Sequence, residues 1–328
     1  SPEALAATEI QFLLDQSAFN YTYEFEDGLL IMVGVLLPKS APFVGKTVQE
    51  AAKTFPTLHF MPIALQRMGT QYTIIPRGDT VFKERDQVYF ITTMEGVDDL
   101  YKFTGKQKKE IKDVMVLGGS RIGFKTARDL GLNKFNVKLI EKNKEHAFEL
   151  ADQLPNVLII NGDGRNVELL EEENLESMDA FVAVTGNSET NIMSCLVAKS
   201  KNVKRTIALV ENMDYFQLSH SIGVDTLLNK KLLAANHIFR YIRKGEVVAM
   251  TRLNNLNAEI LEFHVKSNSH LKGKFIRDLR IPKEATIGGV IRNKQGIVAL
   301  GGFQIAEGDR VVVCCLPNAI PKIEKLFL

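Results

Sequence analysis

A short glycine-rich stretch carries the residue types best suited to bind a phosphate. Apolar residues 114–117 are followed by Gly118, Gly119, Ser120, Arg121, Ile122 and Gly123. This order predicts a buried strand, a tight glycine turn and the first turn of a helix, which together begin a dinucleotide-binding βαβ unit. Glycines let the backbone approach a ligand closely, and the helix N-terminus offers free N–H groups and a positive dipole end to a phosphate.

The stretch departs from the G-x-G-x-x-G pattern at one position. Gly118 and Gly123 occupy the first and third glycine positions, whereas Ser120 occupies the second, where the backbone should approach a pyrophosphate. A serine adds bulk there and also supplies a hydroxyl that could bind phosphate, so nucleotide binding could survive the change or be lost. Arg121 could contact a phosphate or point to solvent.

Polar residues at the ends of later strands supply the other candidate contacts. Glu141 lies 18 residues after Gly123, close to the spacing of about 20 expected for the acid that binds the ribose. An acid there favours the free 2′-OH of NAD or adenosine phosphates over the 2′-phosphate of NADP. Asp163, after Gly162, could accept a hydrogen bond from the adenine amino group or simply belong to a turn. Thr185 ends a further strand, beside the expected phosphates.

A doubly wound parallel sheet is the element that would bring these residues to one edge. Residues 112–229 alternate apolar strands with amphipathic helices, which predicts a Rossmann-like domain whose ligand edge lies at the strand carboxyl ends. The predicted strands span 114–117, 136–140, 157–160, 180–184, 206–210 and 226–228. The predicted helices span 121–130, 145–154, 189–199 with Ser188 as N-cap, and 214–222.

Two small α+β modules flank this domain. Residues 1–18 hold a helix with a thin alanine face, suited to close packing against another helix, such as one of a partner subunit. Residues 19–108 form the first module, with strands at 29–37, 60–67, 71–75 and 87–92, a helix at 47–55 and a lysine-rich end that is typical of a solvated linker. A second helix at 230–245 leads to the second module at 246–328.

An internal repeat relates the two flanking regions. Residues 5–10 match residues 233–238, and Gly45-Lys46 matches Gly273-Lys274, both at a separation of 228 residues. Residues 84–88 resemble 307–311 at a separation of 223. The repeat predicts two units, each with a nucleotide-binding domain, a linking helix and a module, so the first glycine loop is expected upstream of Ser1.

Composition and residue spacing argue against several other classes. A net charge of +2 gives no strong attraction to nucleic acid or anionic lipid, and three cysteines fit a reducing compartment. The longest apolar run, residues 29–37, is shorter than the roughly 20 residues of a membrane-spanning helix. The six histidines are scattered, with none expected at a strand end of the Rossmann domain, and neither a metal spacing nor a nucleophile–base pair is visible. We therefore predict no catalytic residue and no metal ligand.

The motif series resembles that of RCK (KTN) domains. The resemblance rests on residues 118–123, 139–141, 162–163 and 185–193 and on the order of the domains. It implies a cytoplasmic protein, peripheral on the inner face of the cell membrane, that binds NAD(H) or an adenine nucleotide (ADP or ATP) and gates a membrane potassium-translocating subunit. It also implies homo-oligomers, dimers or larger, formed through the linking helices.

The resemblance assigns roles to residues of this chain. The glycine turn and Arg121 would face the pyrophosphate, Glu141 the ribose, Asp163 the adenine, and Thr185 the phosphate or nicotinamide side. The full set of expected nucleotide contacts is Gly118, Gly119, Ser120, Arg121, Ile122, Gly123, Glu141, Lys142, Gly162, Asp163 and Thr185.

Three functions remain open at this point. The leading one is a nucleotide-gated regulatory subunit of a potassium uptake system. An NAD-dependent oxidoreductase is the alternative, although neither module offers an acid or base for hydride chemistry. In the third, the modules sense a small ligand or ion and the Rossmann domain is only a scaffold.

Overall fold

The structure is a computed structural model of the 328-residue chain. It describes all residues except 17–18, 27, 55–58, 68–69, 71, 106–109, 134, 213–214, 216–222, 236–246, 253–255 and 328, and it describes 247–252 as backbone only. The chain forms two units. Unit 1 comprises Ser1–Ser17 and Lys109–Ala235, and unit 2 comprises Ala18–Lys108 and Asn236–Leu328.

The secondary structure of the described residues alternates between helices and strands. The helices are α1 (Pro2–Asp15), α2 (Val48–Thr54), α3 (Val97–Thr104), α4 (Arg121–Leu132), α5 (Lys144–Gln153), α6 (Val167–Glu172), α7 (Ser188–Ser200), a further helical segment at 230–235, and α8 (Ile320–Phe327). The strands are β1 (Tyr21–Phe25), β2 (Leu30–Leu36), β3 (Phe60–Gln66), β4 (Thr73–Ile74), β5 (Gln87–Thr92), β6 (Asp113–Leu117), β7 (Asn136–Glu141), β8 (Val157–Asn161), β9 (Ala180–Ala183), β10 (Arg205–Leu209), β11 (Thr226–Leu228), β12 (Val247–Arg252), β13 (Glu259–His264), β14 (Ala285–Arg292), β15 (Gln295–Ile297) and β16 (Arg310–Cys315).

Unit 1 contains the six-stranded parallel sheet, in the order β11-β10-β9-β6-β7-β8. Its central strand β6 is apolar on both faces: Val114 and Val116 pack with α4 and α5, and Met115 and Leu117 with α6 and α7. Helices therefore cover both faces, which confirms the predicted doubly wound fold. The crossovers bring the carboxyl ends of β6, β7, β8 and β9 to one edge.

Helix α1 packs against α4 within unit 1. Ala6 and Ile10 are fully buried in the same core cluster as Ala127 and Leu130 of α4. The small alanine side chain allows the close approach that the sequence predicts. Within the described residues, the helix that α1 contacts most belongs to the same chain, and a contact with a partner subunit stays a prediction.

Unit 2 consists of two five-stranded antiparallel sheets with one topology. Their strand orders are β1-β2-β5-β3-β4 and β12-β13-β16-β14-β15. Gly45 and Gly273, the matched glycines of the repeat, both have positive φ, at 87° and 82°. Their N–H groups donate to the carbonyls of Phe82 and Ile305 at 2.8 and 2.7 Å, again at equivalent places. The sequence repeat is therefore also a structural repeat.

The two modules of unit 2 share a hydrophobic core. Leu30, Ile63 and Ile91 of the first module lie in one buried cluster with Ile260 and Val312 of the second. Polar contacts reinforce this packing: the Arg77 side chain donates to the Pro282 and Ala285 carbonyls at 2.6 and 2.8 Å. The Asn257 N–H donates to Thr73 Oγ1 at 2.9 Å.

Some elements differ from the sequence prediction. Strand β1 and helices α3 and α6 were not predicted, and β4 is shorter than expected. Helix α7 is capped by Asn187, whose side chain accepts the Thr190 N–H, so the prediction of Ser188 as N-cap was wrong. The Ser188 hydroxyl instead accepts the Glu211 N–H at 3.0 Å. Most of the helices predicted at 214–222 and 230–245, and 106–109 of the linker, lie outside the described residues.

Across the part of the chain that the structure describes, every helix is too short or too polar to cross a lipid bilayer.

Candidate functional site

A cleft of about 550 Å³ opens at the carboxyl edge of the parallel sheet in unit 1. Four stretches frame it: the turn after β6, the segment after β7, the segment after β8, and the turn between β9 and α7. The lining residues are Leu117, Gly118, Gly119, Ser120, Ile140, Glu141, Lys142, His146, Gly162, Asp163, Gly164, Arg165, Thr185, Gly186, Asn187 and Thr190. The strand-edge position is where doubly wound sheets bind ligands.

Two glycines of the turn are required by its geometry. Gly118 has φ 102°, which side-chain-bearing residues rarely adopt, and its N–H donates to the Ile140 carbonyl at 2.9 Å. A Cβ on Gly123 would lie 1.9 Å from the Gly118 carbonyl oxygen. The chain can therefore reverse from β6 into α4 only with glycine at both positions.

Ser120 is the N-cap of α4. Its hydroxyl accepts the Gly123 N–H at 3.3 Å and donates to the Val184 carbonyl at 2.7 Å. With φ −56° the position accommodates a side chain without strain. The serine thus fixes the turn against Val184, the residue that follows β9. The first N–H groups of α4 have no helical acceptor, as at every helix N-terminus.

Glu141 braces the glycine turn from the end of β7. Its Oε2 accepts the Gly119 N–H at 2.8 Å, and its Oε1 accepts the Asn143 N–H at 2.7 Å. Because a carboxylate oxygen can accept more than one hydrogen bond, the side chain keeps capacity for a ligand hydroxyl.

His146 also reaches the turn, although the sequence analysis did not name it as a contact. Asn143 caps α5 and places His146 in its first turn, beside the end of β7. His146 Nε2 lies 2.9 Å from the Gly119 carbonyl oxygen, and Nδ1 lies 3.2 Å from Glu149 Oε2. The Gly119 and Glu149 acceptors raise the pKa of His146 above its ordinary value. The sequence prediction considered the strand ends themselves and not the helix turn that follows each of them.

Asp163 is the centre of a charged cluster after β8. Arg165 Nη2 and Lys142 Nζ lie 2.7 and 3.0 Å from Asp163 Oδ2. Hydrogen bonds from the side chain and backbone of Arg165, followed by Lys142, hold the pKa of Asp163 well below its ordinary value. The carboxylate is therefore ionised at neutral pH, with two cations beside it.

A hydrogen-bonded turn holds Thr185 at the opposite side of the cleft. Its hydroxyl donates to Asn191 Oδ1 at 2.6 Å, and Asn191 Nδ2 donates in turn to the Thr185 and Leu209 carbonyls at 3.0 and 2.8 Å. Asn191 is buried, so this network fixes the β9 end relative to β10.

Eight of the eleven predicted contacts line the cleft. The exceptions are Arg121, Ile122 and Gly123: Ile122 is in the core, Gly123 supports the turn, and Arg121 is exposed and acts electrostatically on Glu3 of α1. Eight residues of the lining were not among the predicted contacts: Leu117, Ile140, His146, Gly164, Arg165, Gly186, Asn187 and Thr190. The N-cap residues Asn143 and Asn187 could have indicated these positions in the sequence, because an N-cap marks where the chain turns into a helix just past the end of a strand. Within the described ranges, no group of three or more His, Cys, Asp or Glu side chains could hold a metal ion.

Family models match most of the chain. The TrkA-N domain model matches residues 114–230, and the TrkA-C domain model matches residues 32–105 and 260–328. The two TrkA-C matches coincide with the two modules of unit 2, and the TrkA-N match with the parallel sheet of unit 1.

Relatives align over the full length of this chain. The chain is 30% identical to the Trk system potassium uptake protein TrkA of Haemophilus influenzae over 331 residues, covering 100% of this chain and 72% of the relative. It is 29% identical to the Trk system potassium uptake protein TrkA homolog 1 of Methanosarcina mazei over 327 residues, covering 99% and 72%.

Solved structures share the fold. The GsuK RCK domain superposes with a TM-score of 0.52 at 16% identity, over 98% of this chain and 69% of that one. The GsuK channel bound to NAD gives 0.53 at 16% identity, over 98% and 57%. Identity at this level speaks for the fold alone. The family models, together with the relatives that align over the whole of this chain, show that the chain belongs to the TrkA family of Trk-system potassium uptake proteins.

Proposed function

We propose that this chain is a nucleotide-binding regulatory part of a potassium uptake system. The observation that carries the proposal is the cleft of unit 1, where a tight glycine turn, a helix N-terminus and a braced carboxylate meet at the ligand edge of a Rossmann-like sheet. Relatives named as potassium uptake proteins supply the biological context.

The residues present fit a nucleotide. Gly118 and Gly123 leave no room for side chains and let the α4 N-terminus face a pyrophosphate. Glu141 would accept ribose hydroxyls, and Asp163 would face the adenine side. Thr185 and the α7 N-terminus would lie beside the remaining phosphate or nicotinamide.

The ligand class is NAD(H) or an adenine nucleotide such as ADP or ATP. Glu141 disfavours NADP, because a carboxylate at the ribose repels a 2′-phosphate. A solved structure of the same fold, the GsuK channel, is described as bound to NAD. The bound nucleotide would act as an effector, and the chain would not be an enzyme.

Regulation requires that the nucleotide bind two conformations unequally. The coupled partner would be a membrane potassium-translocating subunit, with the chain held at the inner face of the membrane as part of a homo-oligomer. The contacts between chains would run through the linking helices predicted at 1–18 and 230–245.

Calorimetric titration with NAD, NADH, ADP and ATP tests the proposal. We expect at least one of them to bind, and Glu141→Gln to weaken that binding about tenfold, the effect of losing one charge-assisted hydrogen bond. Glu307→Gln is the control, since Glu307 is an exposed residue of unit 2 paired with Lys272. Failure of all four ligands to bind would contradict the proposal. NADH turnover with a carbonyl substrate would favour the oxidoreductase alternative.

A further inference from the structure

The charges that line the cleft nearly cancel. Its ionisable side chains are Glu141, Lys142, His146, Asp163 and Arg165. Two acids offset two bases, so the sign of the lining charge depends on the histidine. With neutral His146 the lining carries no net charge, and with protonated His146 it is positive. The side-chain charge adds to the attraction of an anionic nucleotide only in the second case.

The surroundings of His146 favour its protonated form. A neutral imidazole has one N–H and can donate to only one acceptor, whereas an imidazolium donates to two. His146 faces an acceptor at each nitrogen: the Gly119 carbonyl at 2.9 Å and the Glu149 carboxylate at 3.2 Å. Glu141, from the end of β7, adds a second negative charge, and Lys142 beside it is bound to Asp163.

The other two cationic side chains of the cleft do not change charge with pH in this way. Lys142 and Arg165 both lie on Asp163 Oδ2, at 3.0 and 2.7 Å, and they keep their charge throughout the neutral range. Among the five lining groups, the histidine alone is of a type that changes charge between about pH 5 and about pH 8.

We propose that the positive charge of the His146 imidazolium attracts an anionic nucleotide to this cleft, so that the affinity for the nucleotide falls as pH rises. The inference rests on the proposed function and adds to it a pH-dependent control of the same site. His146 would act from the Gly119 side of the turn, where the ribose and the adjoining phosphate enter.

The sign of the effect follows from linkage. A bound anion stabilises the imidazolium further, so binding takes up protons when His146 is partly neutral. Affinity is therefore highest below the pKa of free His146 and declines as pH rises through the pKa of the complex.

Titration of NAD and ADP from about pH 5 to about pH 8 tests the inference in wild type and in His146→Gln. Glutamine keeps a donor for the Gly119 carbonyl and cannot become charged. We expect wild-type affinity to fall about two- to fivefold across this range relative to the variant, the effect of one partly exposed charge. Comparison with the variant cancels the titration of the ligand itself. In Glu149→Gln, at a side chain that is 67% exposed, the fall in affinity should occur at lower pH than in wild type.

His264→Gln is the matched control, because His264 is an exposed histidine on β13 in unit 2. It should reproduce the wild-type profile. Binding with the same pH profile in wild type and His146→Gln would overturn the inference and leave the proposed function standing. Absence of binding at every pH would overturn both.

Discussion

Glycines leave an open cleft in unit 1, whereas they allow close packing between the two modules in unit 2. In unit 1, Gly118 and Gly123 let the backbone turn tightly and leave a cleft beside the turn. In unit 2, glycines of the second module let the first module approach. A Cβ on Gly296 would lie 1.8 Å from the Leu29 carbonyl oxygen, and one on Gly288 would lie 2.4 Å from Ile91 Cδ1.

Charges differ between the units in the same way. Asp163 in the cleft holds two cations on a surface that is open to solvent. Asp309 in unit 2 is fully buried, and Arg292 binds both of its oxygens at 2.7 Å, while Oδ2 also accepts the Ala306 N–H at 2.7 Å. The charges around Asp163 are open to a ligand, whereas the charge of Asp309 is paired inside the fold.

Under the proposed function, unit 1 binds the nucleotide and unit 2 gives structural support. Changes to the buried glycines and charges of unit 2 should lower stability and leave nucleotide affinity intact. Changes to the cleft should lower nucleotide affinity and cost less stability.

The largest effect is expected from Asp309→Ala. The substitution removes a buried acceptor from the Ala306 N–H and from the Arg292 guanidinium, which is 32% exposed and still donates to the Gln304 carbonyl. We therefore expect a loss of about 2–4 kcal/mol of unfolding free energy. Urea denaturation measures this loss. Glu307→Ala, at a 52% exposed side chain paired with Lys272, should cost at most about 1 kcal/mol. Equal losses in the two variants would refute the distinction between buried and exposed charge.

Gly296→Ala should have the next largest effect. The new methyl group meets backbone at Leu29, which cannot rotate away, so we expect a loss of about 1–3 kcal/mol by urea denaturation. Gly302→Ala is the control, because its Cβ would meet no atom within 4 Å. A near-neutral Gly296→Ala would show that the modules do not approach as described.

Gly118→Ala should reduce stability least but impair binding. Its φ of 102° opposes a side chain, and so does the Thr185 Cγ2 atom, which lies 2.9 Å from the place that an added methyl group would occupy. We expect about 1–2 kcal/mol of lost stability and, in calorimetry, an affinity at least about tenfold lower. Gly186→Ala, in the same cleft with open space around it, should keep wild-type stability. Wild-type affinity in Gly118→Ala would argue against the glycine turn as the phosphate site.

Features that depend on local pattern could be predicted from the sequence. The apolar runs of β6 and β9 and the spacing from Gly123 to Glu141 were enough to place the sheet and its ligand edge. Strand β1 was missed because its five residues mix polar and apolar types, and the pairing with β2 that stabilises it is visible only in three dimensions. His146 and Arg165 were missed for a related reason, since each reaches the cleft through the turn after a strand.

Contacts between distant segments were the least predictable. The alanine face of α1 correctly indicated a close helix contact, but no local pattern identifies α4 as the helix that covers it. Likewise the repeat indicated two similar modules, whereas their joint core depends on Gly288 and Gly296, which differ from ordinary strand glycines only through what they approach.

Hydrogen–deuterium exchange with and without a nucleotide that binds tests the assignment of binding to unit 1 most directly. We expect slower exchange at 117–120, 140–142, 162–165 and 185–187, whose residues line the cleft, and unchanged exchange in both modules of unit 2. Protection confined to the modules would contradict the account and favour the view that they are the sensors and the Rossmann-like sheet a scaffold.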